Sequence, residues 1–126
     1  MKMNMALVGA IVVSLAIAGC ATTGGAPVKY SNGIMVDGAG MTLYTYAKDG
    51  VGTGKSVCNL KCAVAWPPLK AEADAGPAGD FTIVTRDDGS KQWAYKGMPL
   101  YLWIKDQKPG DRTGDGWNKV WHVVKQ

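Results

Sequence analysis

The chain has one histidine, one phenylalanine and three cysteines among its 126 residues. The single histidine, His122, supplies one ligand or one base with no partner, so a structural role is expected for it. No Ser-His-Asp trio and no carboxylate pair in a pKa-raising setting can be assembled, and an enzyme is not expected. Helical periodicity is missing except for one turn over Cys58–Ala65, and there are 17 glycines, which together point to an all-β class. Lys and Arg are scattered rather than clustered, and a nucleic-acid partner is excluded on that ground. The formal charge of +4 falls to +3 once Lys2 is removed, a mild excess that suits resting near an anionic membrane surface. No apolar run is long enough to span a bilayer. The longest, Met5–Ala18, is broken only by Ser14 and has 14 residues, against the ~20 that a spanning helix needs.

That run has the length of a signal-peptide core and follows the positive Lys2. It ends in Ile17-Ala18-Gly19-Cys20, which is similar to a lipobox. There, small residues expose the bond before a cysteine whose thiol takes a diacylglycerol. Residues 1–19 are therefore read as a lipoprotein signal peptide and Cys20 as the lipidated residue, which holds the protein on a membrane without spanning it. Ala21, rather than Asp, follows the cysteine. By resemblance to sorting in bacteria with two membranes, this favours the outer membrane, facing the periplasm. Residues 20–29 read as the lipidated cysteine and a small-residue linker, leaving 30–126 for the folded part.

The folded part says one phrase of 10 residues twice, 57 residues apart. Gly40-Met41-Thr42-Leu43-Tyr44-Thr45-Tyr46-Ala47-Lys48-Asp49 returns as Gly97-Met98-Pro99-Leu100-Tyr101-Leu102-Trp103-Ile104-Lys105-Asp106, with 6 identities and no gap. This is an internal duplication, with repeat one at about 30–69 and repeat two at about 81–124. Alternation makes each copy a strand. Met98, Leu100, Leu102 and Ile104 (in the first copy Met41, Leu43, Thr45 and Ala47) take the core side. The opposite side, with Tyr44, Tyr46, Tyr101 and Trp103, is either a second packing layer or a partly exposed face on which a ligand would sit. Asp49 and Asp106 close the strands and are expected to cap the turns that follow.

The doubled Tyr-x-aromatic-x-x-Asp phrase resembles the family of predicted bacterial lipoproteins known as the secreted repeat of unknown function. Cys58-Asn59-Leu60-Lys61-Cys62-Ala63-Val64-Ala65-Trp66-Pro67-Pro68-Leu69, Asp88-Gly89-Ser90-Lys91-Gln92 and Lys108-Pro109-Gly110-Asp111 with Trp121 agree with it. The resemblance covers nearly everything after residue 28 and implies no activity. His122 departs from the pattern.

With Cys20 given to lipid, Cys58 and Cys62 form an even pair in an oxidising compartment, and a structural disulfide is expected. A redox-active pair is the alternative. Against it, the spacing has three intervening residues, and Pro67-Pro68 stops any helix that would lower a thiol pKa. Gly50-Val51-Gly52-Thr53-Gly54-Lys55-Ser56 misses the phosphate-loop spacing and is read as a flexible loop. Phe81–Arg86, Lys91–Tyr95 and Met98–Ile104 form an expected three-stranded meander turning at Asp87–Ser90 and Lys96-Gly97. Asp111 and Asp115 lack the ligand spacing of a calcium loop. Residues 117–124 should be a last strand, with Trp121 the counterpart of Trp66.

The expectation is thus a small two-repeat β domain, sandwich or barrel-like, with a helical turn near the cysteine pair. Its function is read as a non-enzymatic envelope lipoprotein that binds a ligand or partner, an envelope protein or a glycan, with no cofactor and no metal. The alternative is periplasmic redox or metal handling, in which Cys58 and Cys62, or Met35, Met41, Met98 and His122, hold copper or haem iron.

Overall fold

A computed structural model describes residues 25–126 of the chain. The expected signal peptide and the lipidated Cys20 lie outside the described residues. Strands β1 (Val28–Ser31) and β2 (Ile34–Asp37) form an antiparallel hairpin about Asn32-Gly33. Both turn residues have positive φ, 52° and 82°, as a tight hairpin of right-handed twist requires. The hairpin begins at Val28, inside the stretch read as linker, and no element was expected across it. The Asn-Gly pair was its signal.

The first phrase gives β3 (Tyr44–Tyr46) and a single 3-10 turn, Ala47–Asp49. The loop that follows leads to helix α1 (Lys61–Ala65), which Pro67 and Pro68 bring to an end. A two-residue strand, β4 (Lys70–Ala71), follows. The meander is then present as β5 (Phe81–Thr85), β6 (Lys91–Tyr95) and β7 (Met98–Pro99), joined at Asp87–Ser90 and at Lys96-Gly97. Its third strand is shorter than the expected 98–104. The chain beyond Pro99 stays paired but changes partners: Tyr101 bridges Tyr44 and Pro68, and Leu102 and Ile104 donate to the carbonyls of Pro67 and Ala65. Residues 117–119, expected as strand, form a turn with Asn118 and Lys119 at positive φ, and β8 covers only Trp121–Val123.

The duplication is legible in the hydrogen bonds, and it is interlocked. In one half the Leu43 N–H donates to Met35 O, the Met35 N–H to Val124 O and the Val124 N–H to Leu43 O. In the other, Leu100 donates to Trp93 O, Trp93 to Leu69 O and Leu69 to Leu100 O. Each half therefore takes its hairpin and phrase strand from one repeat and its last strand from the other. β8 of the second repeat pairs with β3 of the first, and β4 of the first pairs with β6 of the second. The two halves join where Tyr44 and Tyr101 exchange backbone bonds, N–H to carbonyl in both directions at 2.9 Å.

A core lies on each face of the phrase strands. Leu43 and Leu100 point into one with Met35, Leu69, Trp93 and Val124. Tyr44 and Tyr101 point into the other with Ile34, Val36, Cys58, Trp66, Trp103, Trp121 and Val123. Burial on both faces lets about 100 residues close around two clusters without a long helix.

Candidate functional site

The aromatic side of the repeated phrase is a packing layer. Tyr44 and Tyr101 are fully buried and Trp103 nearly so, while Tyr46 is half-buried, so the four do not form an exposed ligand face. The reason is the pairing of the two phrase strands with each other, which turns their aromatic sides toward the same slab. Trp66 and Trp121, the expected counterparts, lie face to face in that slab with centroids 3.8 Å apart and planes within 2°. Tyr46 stacks outside Trp121 at 4.2 Å, and Trp103 outside Trp66 at 3.9 Å. Trp117 closes the row at 5.1 Å from Trp103, tilted and partly exposed. Tyr44 and Tyr101 meet Trp66 and Trp121 edge-on, the favoured geometry for a ring quadrupole.

Each buried tyrosine finds its hydroxyl partner in the other repeat. Tyr44 donates to Asp106 Oδ2 at 2.6 Å, and Tyr101 donates to Asp49 Oδ2 at 2.5 Å. The carboxylates also span their own loops, as the turn reading implied: Asp49 accepts from the Val57 N–H, and Asp106 from the Thr113 N–H and hydroxyl. What the turn reading left out is the tyrosine across the domain. Burial, then the bond to Asp106, pushes the Tyr44 hydroxyl well above its ordinary pKa. Burial, then the bond to Asp49, does the same for Tyr101. The Asp49 carboxyl is itself pushed up by burial, against the opposing pull of Tyr101, the Val57 N–H and Arg86.

The symmetry breaks at Arg86 and Gln92, both buried and neither singled out from the sequence. Since the Tyr101 proton is given to Asp49, Ser56 donates to the Tyr101 oxygen and accepts from Arg86 Nη1 at 3.0 Å. The guanidinium also donates to Gln92 Oε1, Cys58 O and Asn59 Oδ1. A buried anion and a buried cation are thus joined through two hydroxyls. This satisfies both charges, and removing either would strand the other in a dry interior. Val84 lies on β5 and Arg86 just past its end, two residues on, and that spacing carried the signal that Arg86 faces inward.

Arg86 forms the floor of a groove of about 930 Å³. Leu60, Ala63, Val64, Pro67 and Pro68 make its apolar wall, and Asp87, Asp88 and Ser90 of the β5–β6 turn face them. The Cys58–Cys62 disulfide, with sulfurs 2.03 Å apart, holds the base of that wall. Leu60, between the cysteines, is 86% exposed and sits at φ 55°, ψ −122°, a conformation that costs an L side chain about 1–3 kcal/mol. Val64, one turn on, is 67% exposed. Lys70 lies at the end of the groove and also lines a smaller cleft against Gly25 and Pro27, where the chain enters from its N-terminal segment.

The remaining candidates are placed otherwise. Asp111 accepts from the Gln107 and Lys108 N–H groups and the Lys108 ammonium, and Asp115 from the Val123 N–H; these are turn bonds. His122 is exposed on β8, opposite Thr45. Met35 is fully buried, and Met41 and Met98 half-buried. Among the described residues no group of three or more His, Cys, Asp or Glu side chains is placed to hold a metal. No helix among them is long and apolar enough to cross a membrane.

The model of one protein family matches the chain twice, over residues 27–70 and 82–125. These are the two interlocked units. The chain belongs to the family described as the secreted repeat of unknown function. Export accords with that description, and the disulfide accords with an oxidising destination. No curated protein and no solved structure matches the chain. In this member of the secreted-repeat family both matched units end in the strand that each lends to the other, so the family unit and the folding unit differ.

Proposed function

We propose that this secreted-repeat protein is a non-enzymatic binding module of the bacterial envelope. In this reading Cys20 anchors it by lipid to the outer membrane, facing the periplasm. Its ligand site is the groove beside α1. The observation that carries this reading is the presentation of Leu60 and Val64, two large apolar side chains held out of the core by a disulfide-closed turn. A small domain with two apolar clusters to fill gains nothing for its own stability from exposing them there.

The chemistry of the walls supports one class of ligand. An apolar wall facing the Asp87 and Asp88 carboxylates fits an extended segment of an envelope protein that carries apolar residues and a basic one. Proline rings at 67 and 68 offer a stiff surface that loses little entropy on contact. The test is a screen of synthetic envelope-protein segments and glycan fragments against residues 25–126, read by amide chemical shifts. Binding of apolar-basic peptides that shifts residues 59–68 and 86–90, and is lost in Leu60→Asp, supports the reading. Binding of glycans alone, or of peptides equally well by Leu60→Asp, contradicts it. Lipidation has a separate test. A mass of the chain purified from membranes that lacks a diacylglycerol at Cys20 would remove the anchor and leave the groove standing.

A further inference from the structure

The packing row and the tyrosine–carboxylate pairs together have a chemistry that the binding role does not use. Five rings run in contact from Tyr46 through Trp121, Trp66 and Trp103 to Trp117, with successive centroids 4.2, 3.8, 3.9 and 5.1 Å apart. The inner three are buried, and Trp117 is 44% exposed. Against the two central indoles stand Tyr44 and Tyr101, edge-on at 5.4 and 5.0 Å. Each is sealed from solvent with its hydroxyl on a carboxylate oxygen.

We infer that the row is a path for an electron hole, which enters at Trp117 or Tyr46 and comes to rest on Tyr44 or Tyr101. A diffusible one-electron oxidant of the envelope, of the carbonate- or peroxyl-radical class, takes an electron from Trp117. The oxidant is reduced to its anion and Trp117 becomes a radical cation. Electrons then move one ring at a time toward the hole, until Trp66 or Trp121 is the oxidised ring. Tyr44 gives an electron to Trp66 and its phenolic proton to Asp106, leaving a neutral tyrosyl radical and a carboxylic acid. Tyr101 does the same with Trp121 and Asp49. Charge and protons balance at each transfer.

Two features make the tyrosines the resting place. A phenol yields its electron readily only when its proton can leave at the same moment, and a carboxylate already on the hydroxyl provides that acceptor over a short hydrogen bond. Burial also pushes the Asp49 carboxyl pKa upward, which favours its keeping the proton it receives. Ordinary core packing also gives a buried hydroxyl a partner, but it needs neither the unbroken row to the surface nor a carboxylate, rather than a neutral acceptor, on both hydroxyls. The geometry supplies both, with the tyrosine of each copy of the phrase paired to the carboxylate of the other. The result is a domain that takes oxidising equivalents at its surface and holds them inside.

The chain has five tyrosines, and the test isolates the two buried ones. In the variant Tyr30→Phe/Tyr46→Phe/Tyr95→Phe only Tyr44 and Tyr101 remain, and Trp117 is the exposed oxidisable end of the row. Pulse radiolysis generates the carbonate radical in its presence, and transient absorption follows the indolyl and tyrosyl bands. The expected result is a tyrosyl radical that grows as the indolyl radical decays, at a rate independent of protein concentration. Adding Trp117→Leu should cut its yield several-fold. Decay of the indolyl radical with no tyrosyl radical, or a yield unchanged by Trp117→Leu, overturns the inference. If the triple variant does not fold, the comparison is made between Tyr46→Phe and Tyr46→Phe/Trp117→Leu. Equal yields of internal radical, judged by its resistance to a water-soluble quencher, then count against the path.

Discussion

Tyr101, in the second copy of the repeated phrase, donates a hydrogen bond from its hydroxyl to Asp49, in the first. Tyr44 and Asp106 repeat the arrangement with the copies exchanged. The same residue pair, five positions apart within each phrase, is thus satisfied only across the domain. The strands follow the same rule, because each repeat completes the sheet of the other. Duplication here did not place two finished units side by side. It produced two halves that finish each other.

Replacing either tyrosine by phenylalanine removes one charge-assisted bond and leaves a buried carboxylate short of a donor. Each change should cost about 1.5–3 kcal/mol in urea unfolding at neutral pH. Tyr101→Phe should cost more, because Asp49 then retains only the Val57 N–H, whereas Asp106 keeps both Thr113 donors. Equal, small losses would show that the bonds merely replace those to water.

Acid should reveal Asp49. Its folded pKa lies above the unfolded value because burial penalises the charge. The folded state therefore binds a proton more readily, and the stability this contributes is present at low pH and lost as pH rises through the folded pKa. Asp88, which is exposed, and Asp111, which is half-buried at the surface, are lowered by their turn bonds and act weakly in the opposite sense. Wild type should gain stability relative to Asp49→Asn as pH falls from neutral through the carboxylate range. Parallel stability curves would remove Asp49 from the account.

The aromatic row has a steric guard at Gly114. A Cβ there would stand 2.7 Å from the Trp66 ring and 3.0 Å from Trp103, although the backbone itself would accept alanine. Gly114→Ala should destabilise by about 1–3 kcal/mol through overpacking and reshape the near-ultraviolet circular dichroism of the tryptophans. Gly76→Ala, where the Cβ meets nothing within 4 Å, is the control and should leave that spectrum unchanged.

Reduction of the cysteine pair should act locally. The closed loop is short, with a separation of four residues, so the entropic model gives about 2 kcal/mol. Cys58→Ser/Cys62→Ser should lower the melting temperature modestly and broaden the amide signals of Asn59–Ala63, while the Trp66–Trp121 stack keeps its spectrum. Collapse of the whole fold would show that the pair holds more than the groove wall.

The sequence made some of this plain and hid the rest for physical reasons. The doubled phrase, the turn at Asp87–Ser90, the Cys58–Cys62 pair and the Trp66–Trp121 equivalence are local or self-similar, and each was legible. The sidedness of Tyr44 and Tyr101 was not. Alternation tells which residues share a face but not whether a second layer covers it, and here the Trp slab does. The strand exchange was hidden for a related reason: a repeat in sequence looks the same whether its last strand stays at home or crosses over. Arg86 read as a strand end because its partners, Ser56 and Cys58 in one loop and Gln92 on the next strand, are not brought together by any local pattern.

The most direct test of the interlocked fold is to make the halves separately, as residues 25–77 and 78–126, and to measure sedimentation and circular dichroism of each and of the mixture. Neither half should be a folded monomer, because each lacks the strand and the carboxylate that the other supplies, and mixing should restore a one-to-one complex with the parent spectrum. A single half that sediments as a folded monomer would contradict the interlocked fold.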